Sequence, residues 1–490
     1  MQTNIDKKPT YDELVAQNTR LQSENAFLKQ ELAQLKRLIF GQKRERFIPA
    51  DSNQLDMAIA TAPEPEPETE TITYTRRKQD KPQKPSRHVL PAHLPRDVVV
   101  IEPKEDTTGL KKIGETITEE LEYTPATLRV TRYVRPKYAK PNGDGILIGV
   151  LPSRPIEKGK PGPGLLAHVT ISKYVDHLPL YRQSQMLERQ GVVIPRSTLG
   201  DWIAAVCDIL EPLHALHIES VLASLYLMAD ETPIRVLDYH TKGRCHLGYH
   251  WAYYDPLNKQ ALFDYRQGRG REGPTDCLKN FAGLLQTDGW QAYEVFEANE
   301  RIVLVACWAH ARRKFTEALD NDPERAKYAL AEIQKLYAIE RHARDAELSH
   351  ADRQALRQQQ ARPILNHLET WLRQNHLTTL PESKIGKAIT YALKRWDRLT
   401  RYVEYGQVEI DNNLVENAIR PLALGRKNYL FAGSHEGARR AAMLYSLLTT
   451  AKLHGIEPFA WLRDVLDRIA DHPHKHLKDL LPQNWSPKSS

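Results

Sequence analysis

Three acidic residues lie far apart in this chain, each in a setting that suits phosphoryl chemistry. Asp230 closes the apolar run Leu225-Tyr226-Leu227-Met228-Ala229 and precedes Glu231-Thr232-Pro233. Asp288 closes Leu284-Leu285-Gln286-Thr287 and precedes Gly289-Trp290. Short apolar runs that stop at turn residues predict strands buried on both faces. Each Asp is therefore expected at a strand end, on the rim of a sheet, where ligands and metals bind. Glu416 falls in the first turn of a helix predicted to start after Asp411-Asn412-Asn413. Two carboxylates on neighbouring strands and a third from a helix can hold two divalent ions. Mg²⁺ takes a few carboxylates plus water and phosphate oxygens, and two ions about 3.5–4 Å apart clamp an in-line displacement. Each acid also has an ordinary reading. A lone strand-end Asp more often just ends its strand. Asn413-Leu414-Val415-Glu416 is close to a capping box, and on spacing alone the cap is the better reading of Glu416.

Other residues carry weaker signals. Cys307 and His310 have Cys-x-x-His spacing, half of a zinc site, with Cys245 and His250 as the obvious second half. A buried Cys, with a His that hydrogen-bonds or touches DNA, is the preferred reading. Arg312, Arg313 and Lys314 follow directly, and Arg420, Arg426 and Lys427 follow Glu416, ahead of Arg439 and Arg440. A charge run is usually a solvated face. Here the cations cluster near the carboxylates, which favours contact with DNA phosphates. No Gly-x-x-x-x-Gly-Lys loop follows a strand, so nucleotide hydrolysis is not indicated. No serine nucleophile elbow appears around the predicted core strands.

The elements that must position these residues emerge from the whole chain. Its 490 residues are 41% hydrophobic, ample for about two to four domains. A net charge of +7 and a pI near 8.9 admit nucleic acid as a partner. Four cysteines make a disulfide framework unlikely and fit a reducing cytoplasm. There is no apolar signal region and no apolar run long enough for a bilayer, so membrane functions are disfavoured.

Residues 8–47 contain a heptad register, with Leu14, Leu21, Leu28 and Leu35 at d and Tyr11, Asn18, Asn25, Leu32 and Ile39 at a. Leu at d with Asn at a predicts a parallel two-stranded coiled coil over 11–39 and a homodimer or higher oligomer. Residues 48–87 are Pro-, Glu- and Thr-rich, then basic, and predict an extended linker. Residues 88–160 alternate apolar and polar positions and predict a small β-rich module. Pro161-Gly162-Pro163-Gly164 is a hinge. Within 161–219, a helix at Tyr181–Arg189, a turn at Gly191 and a second helix capped by Ser197 resemble a helix-turn-helix. A helical subdomain packed on the core fits equally. Strands are expected at 249–254, 261–265 and 302–306, with a helix near Thr275–Phe281. Residues 316–405 are helical and charged. Residues 451–490 predict a helical C-terminal region whose tail frays after Gln483.

Four blocks of the sequence resemble transposases of the insertion-sequence-66 family, which carry a ribonuclease-H-like Asp-Asp-Glu core. They are Met228-Ala229-Asp230-Glu231-Thr232-Pro233, Thr287-Asp288-Gly289-Trp290-Gln291-Ala292-Tyr293, Cys307-Trp308-Ala309-His310-Ala311-Arg312-Arg313-Lys314-Phe315, and Asp411 through Asn428. The resemblance covers nearly the whole chain. It implies a multidomain α/β protein with its catalytic domain at 220–450, interrupted by an all-helical insertion at about 316–405. It implies that Asp230, Asp288 and Glu416 bind two Mg²⁺ or Mn²⁺ ions, with Asp411 the runner-up for the third position; His310, expected near Asp288, is a candidate to position phosphate. The implied activity is cleavage and strand transfer at the ends of a bacterial insertion sequence, on double-stranded DNA, with small accessory proteins encoded by the same element. A non-cutting dimeric regulator and a structure-specific nuclease on the same fold are the alternatives. Relatives place a cysteine zinc ribbon within 88–160. This chain has no cysteine before Cys207, so zinc is not expected there.

Overall fold

The computed structural model describes residues 161–237 and 244–487, with short pieces between 128 and 159. All of them belong to the unit Pro125–Ser490. The coiled coil expected at 11–39, the linker at 48–87 and most of the 88–160 module lie outside the described residues. From that module the structure shows one antiparallel pair, Lys137–Ala139 (β1) with Ile146–Ile148 (β2).

Five further strands form the central sheet: β3 (Tyr226–Leu237), β4 (Cys245–Asp255), β5 (Gln260–Arg266), β6 (Gly283–Thr287) and β7 (Ile302–Ala306). Their spatial order is β5-β4-β3-β6-β7. The β3–β4 and β4–β5 pairs are antiparallel, whereas β3–β6 and β6–β7 are parallel. Successive strand residues point to opposite faces, and the two faces bury different cores. Tyr226, Met228, Ile234, Val236, Ala252 and Tyr254 belong to the larger core. Leu227, Ala229, Trp251 and Tyr253 belong to the smaller one.

Helices wrap the larger core. α1 (Pro163–Tyr174), α2 (Leu180–Arg189) and α3 (Arg196–Leu222) precede the sheet. Ser197 does not cap α3. The helix starts two residues earlier, at Arg196 with Pro195 as N-cap and without a side-chain cap bond, because Pro195 already supplies the extended backbone from which a helix departs. α3 is also far longer than its sequence signal. It buries Leu199, Ile203, Val206, Leu210, Leu213 and Val221 along one stripe, so most of its length serves the core, while Arg196 and Ser197 at its start are exposed. The helix expected at Thr275–Phe281 lies slightly earlier, at Glu272–Cys277.

After β7 come α4 (Trp308–Glu317), α5 (Pro323–Asp345), α6 (His350–Leu356), α7 (Arg362–His376) and α8 (Lys384–Lys394). A single π-helical turn, Arg357–Ala361, joins α6 to α7. α9 (Asn413–Tyr429), α10 (His435–Leu453) and α11 (Pro458–Arg468) complete the helices used below. α10 runs through the boundary expected at residue 450. The tail does not fray at Gln483. Trp485 packs on the larger core and donates its indole N–H to Asp464 at 2.6 Å. Among the described residues no helix is long and apolar enough to cross a membrane.

Candidate active site

Asp230 is not at a strand end. β3 continues seven residues past it, pairing with β4 as far as Leu237 opposite Cys245. What ends near Asp230 is its parallel neighbour, since the last β3–β6 pair is Met228 with Gln286. From there on, β3 has one vacated edge whose backbone groups need partners, and the chain supplies them locally. The Glu231 N–H donates to Asp230 Oδ1 at 2.8 Å. The Ala229 carbonyl accepts from Asn412 Nδ2 at 3.0 Å, and the Pro233 carbonyl accepts from Arg426 Nη1 at 2.6 Å. Ala432 bridges Arg235 and Leu237, donating to the first at 2.8 Å and accepting from the second at 2.9 Å. Pro233, which reads in sequence as a turn signal, sits on this edge, where its missing N–H costs nothing.

Asp288 does stand at a strand end, one residue past β6. Continuing the Met228–Gln286 register by two residues sets Asp288 beside Asp230 on the same face of the sheet. Neighbouring strands lie about 4.8 Å apart. The chain then turns: the Trp290 N–H donates to Asp288 Oδ1 at 2.8 Å, and Gly289 adopts a φ of +85°. A side chain at Gly289 would strike Arg395, which donates to the Gly289 carbonyl at 2.7 Å. Tyr391 holds the Asp288 carbonyl at 2.6 Å.

Glu416 reaches the same place through α9. The helix packs Val415, Ala418, Ile419, Leu422 and Gly425 inward at helical spacing. Its start is pinned to β6, to β3 and to the residue that follows β7. Gln286 donates to the Glu409 carbonyl at 2.8 Å, the Glu409 N–H donates to Tyr226 at 3.1 Å, and the Asn412 N–H donates to Cys307 Sγ at 3.2 Å. The capping box is absent: the N-cap is Asn412, without a side-chain cap bond. Glu416 instead faces His310, with Oε1 3.9 Å from Nε2. Asp411 is occupied with the turn, accepting from Tyr337 at 3.0 Å and from the Asn413 backbone and side chain at 3.1 and 2.9 Å.

Electrostatics tie the acids together. Burial, then the charges of Glu231, Asp288 and Glu416, push the Asp230 carboxyl well above its ordinary range. Glu416 is raised by burial, with Arg313 opposing and Asp411 and Asp288 adding to the rise. A fourth carboxylate belongs to the cluster. The Glu231 side chain is only 2% exposed, and its carboxyl is raised by burial and by Asp288. Arg269 donates to Glu231 Oε1, while the buried Oε2 has no hydrogen-bond partner. The same guanidinium lies over the Trp290 ring, 3.7 Å from its centroid. Burial and the nearby Arg313 and Lys314 depress His310, against the pull of Asp288.

The chemistry of this donor set suits a divalent ion. Asp230 and Asp288 accept only backbone N–H bonds among the interactions shown, and their charge is uncompensated by any cation at salt-bridge distance among the described residues. Oxygen donors suit hard cations. Among the described residues no group of three or more His, Cys, Asp or Glu is placed to hold a metal ion as the side chains stand. Two cavities, lined in part by Leu216 and His454 and by His214 and Cys277, share no residue with the acids.

The other sequence candidates separate. Cys307 is buried and its thiol is pushed up by burial. Cys245 is exposed, whereas His250 is buried and depressed to about 3, so the two do not make a zinc half-site with Cys307 and His310. Arg313 and Lys427 are exposed, and Arg312 is half-buried. Lys427 lies eleven residues from Glu416, about three turns, and so shares its helix face, as does Arg420 one turn away. Arg426 points elsewhere, with Nη1 on Thr232 and Pro233.

The comparisons agree across the chain. The description Transposase IS66 family matches residues 158–440. Transposase C of IS166 homeodomain matches 27–99, the zinc-finger binding domain of transposase IS66 matches 105–139, and the IS66 C-terminal element matches 446–483. In Sinorhizobium fredii (strain NBRC 101917 / NGR234), uncharacterized protein y4jD is 34% identical over 489 residues, 94% of each chain. Uncharacterized protein y4qI of the same organism is 36% identical over 431 residues, 83% of this chain and 79% of its own. Fold and matches together define a mixed α/β, DNA-processing enzyme. The chain belongs to the IS66 family of transposases.

Proposed function

We propose that the chain cleaves the ends of its insertion sequence and joins them to target DNA, with Asp230, Asp288 and Glu416 as the metal-holding acids. The observation that carries this reading is the shared face of Asp230 and Asp288, with α9 tied to the strand of Asp230 at both ends. The strand order supports the ribonuclease-H-like reading of the core. The three carboxylates would hold two Mg²⁺ or Mn²⁺ ions. When bound, such a pair activates the attacking oxygen and stabilises the leaving one.

The chain's own residues do the rest. Arg312, Arg313, Lys314, Arg420 and Lys427 hold the duplex by its phosphates. His310, between Asp288 and Glu416, positions the scissile phosphate. Arg426 holds α9 to β3 rather than DNA. Homodimerisation through 11–39 and accessory proteins of the same element complete the assembly. The stretch matched to a zinc-finger domain, 105–139, contains neither Cys nor His. It is read as a zinc-free module; stoichiometric zinc surviving dialysis of the whole protein would contradict that.

The test compares amide variants, which keep size and remove charge. Asp230→Asn, Asp288→Asn and Glu416→Gln should each abolish Mg²⁺-dependent cleavage of the element's end DNA while retaining a gel shift on the same DNA. Asp411→Asn should keep most activity. Normal cleavage by Asp230→Asn would overturn the reading. Loss in Asp411→Asn with normal cleavage by Glu416→Gln would reassign the third acid.

A further inference from the structure

The end of α9 carries a feature that packing alone does not explain. Leu430 has φ +63° and ψ −39°, and the Phe431 N–H donates to the Tyr429 carbonyl at 2.7 Å. This is a three-residue γ-turn of the positive-φ kind, rare and strained outside glycine. Both flanks are fixed. Tyr429 packs on the larger core, with its hydroxyl 3.4 Å from that of Tyr445. Ala432 is bridged to β3. The two residues between these anchors are driven outward: Leu430 is 65% exposed and Phe431 40% exposed.

The surroundings of the turn are basic. Lys427 and Arg235, whose backbone accepts from Ala432, are exposed and form no ion pair among the described residues. The next acid in sequence, Glu436, is paired with Arg439 at 2.9 Å and Arg440 at 3.7 Å. An apolar tip in a cationic setting matches DNA, where apolar side chains inserted between base steps unstack and kink the duplex.

We propose that Leu430 and Phe431 form a wedge that enters the base stack of the duplex bound along α9. This rests on the function proposed above. Leu430 lies fourteen residues from Glu416, about 21 Å along the helix. At about 3.4 Å per base step, the wedge enters roughly six base pairs from the cleaved phosphate.

The probe is a duplex ending in the terminal repeat of the element that encodes the chain, with 2-aminopurine placed in turn at each position within about ten base pairs of the cleaved phosphate. Bound to the full-length Asp288→Asn protein, one position roughly six base pairs in should brighten as its base unstacks. The double variant Leu430→Gly, Phe431→Ala keeps a residue suited to the positive φ, so its melting temperature should not fall. It should lose the fluorescence rise and retain the gel shift, and with Asp288 restored its cleavage should drop several-fold. A duplex that is bound and cleaved without any such rise, or a rise that survives in the double variant, overturns the wedge and leaves the proposed function standing. Failure of the wild-type chain to bind or cleave end DNA overturns both.

Discussion

Asn412 Nδ2 donates to the carbonyl of Ala229 at 3.0 Å, joining the N-cap of the Glu416 helix to the residue before Asp230. The asparagine is fully buried, so this bond sets a distance between two acids that lie 186 positions apart in the sequence. Asn412→Ala should leave the Ala229 carbonyl unpaired at a cost of about 1–3 kcal/mol. End-DNA cleavage should fall well beyond what that stability loss explains, with the gel shift retained. Denaturant melts beside cleavage rates check this; a stability loss with normal cleavage would show that the bond does not position Glu416.

A second prediction concerns the helical segment between β7 and α9. Glu340 is buried and accepts from both Arg353 and Arg357. Arg357 also donates to the carbonyls of Tyr402, Tyr405 and Val408, each at 2.8 Å, and Arg353 donates to Glu409. Removing one charge strands the others in a low dielectric. Glu340→Gln should cost about 3–5 kcal/mol. Breaking the exposed Lys384–Asp320 pair with Lys384→Ala should cost under about 0.5 kcal/mol. Equal midpoints for the two variants in urea would count against a structural role for the buried network.

The oligomer prediction rests on the heptads alone. A Leu21→Pro, Leu28→Pro chain should sediment as a monomer, since each proline costs about 3 kcal/mol inside a helix. An unchanged sedimentation coefficient would remove the zipper as the dimer contact.

Much of the site could be read from local pattern. The run before Asp288 is a strand ending in a tight turn, and both signals are contiguous in sequence. The sequence around Asp230 predicts a strand that ends there, because Pro233 looks like a terminator, whereas the strand continues to Leu237. Only the early departure of β6 makes proline harmless there, and that departure is a tertiary fact. Glu231 carried no signal as a member of the cluster. Its alternation puts it on the opposite face from Asp230, and its partner Arg269 lies 38 residues away on another segment. Asn412 and Arg357 escaped for the same reason. Their partners are 183 and up to 51 residues distant, where periodicity and capping rules are silent. Arg426 was grouped with the phosphate-binding cations by sequence proximity, yet its side chain is turned toward β3.

The pinning of residues 409–412 by β3, β6 and the Arg353–Arg357 network also orders events during synthesis. Asp230 and Asp288 leave the ribosome 58 residues apart, and Glu416 follows a further 128 residues later, a delay of roughly 6–26 s at about 5–20 residues per second. Its helix is seated partly on β3 and β6 and partly on the intervening helices through Arg353 and Arg357. On the function proposed above, a growing or truncated chain holds two of the three acids without the third, and the site is incomplete until the polypeptide is almost finished.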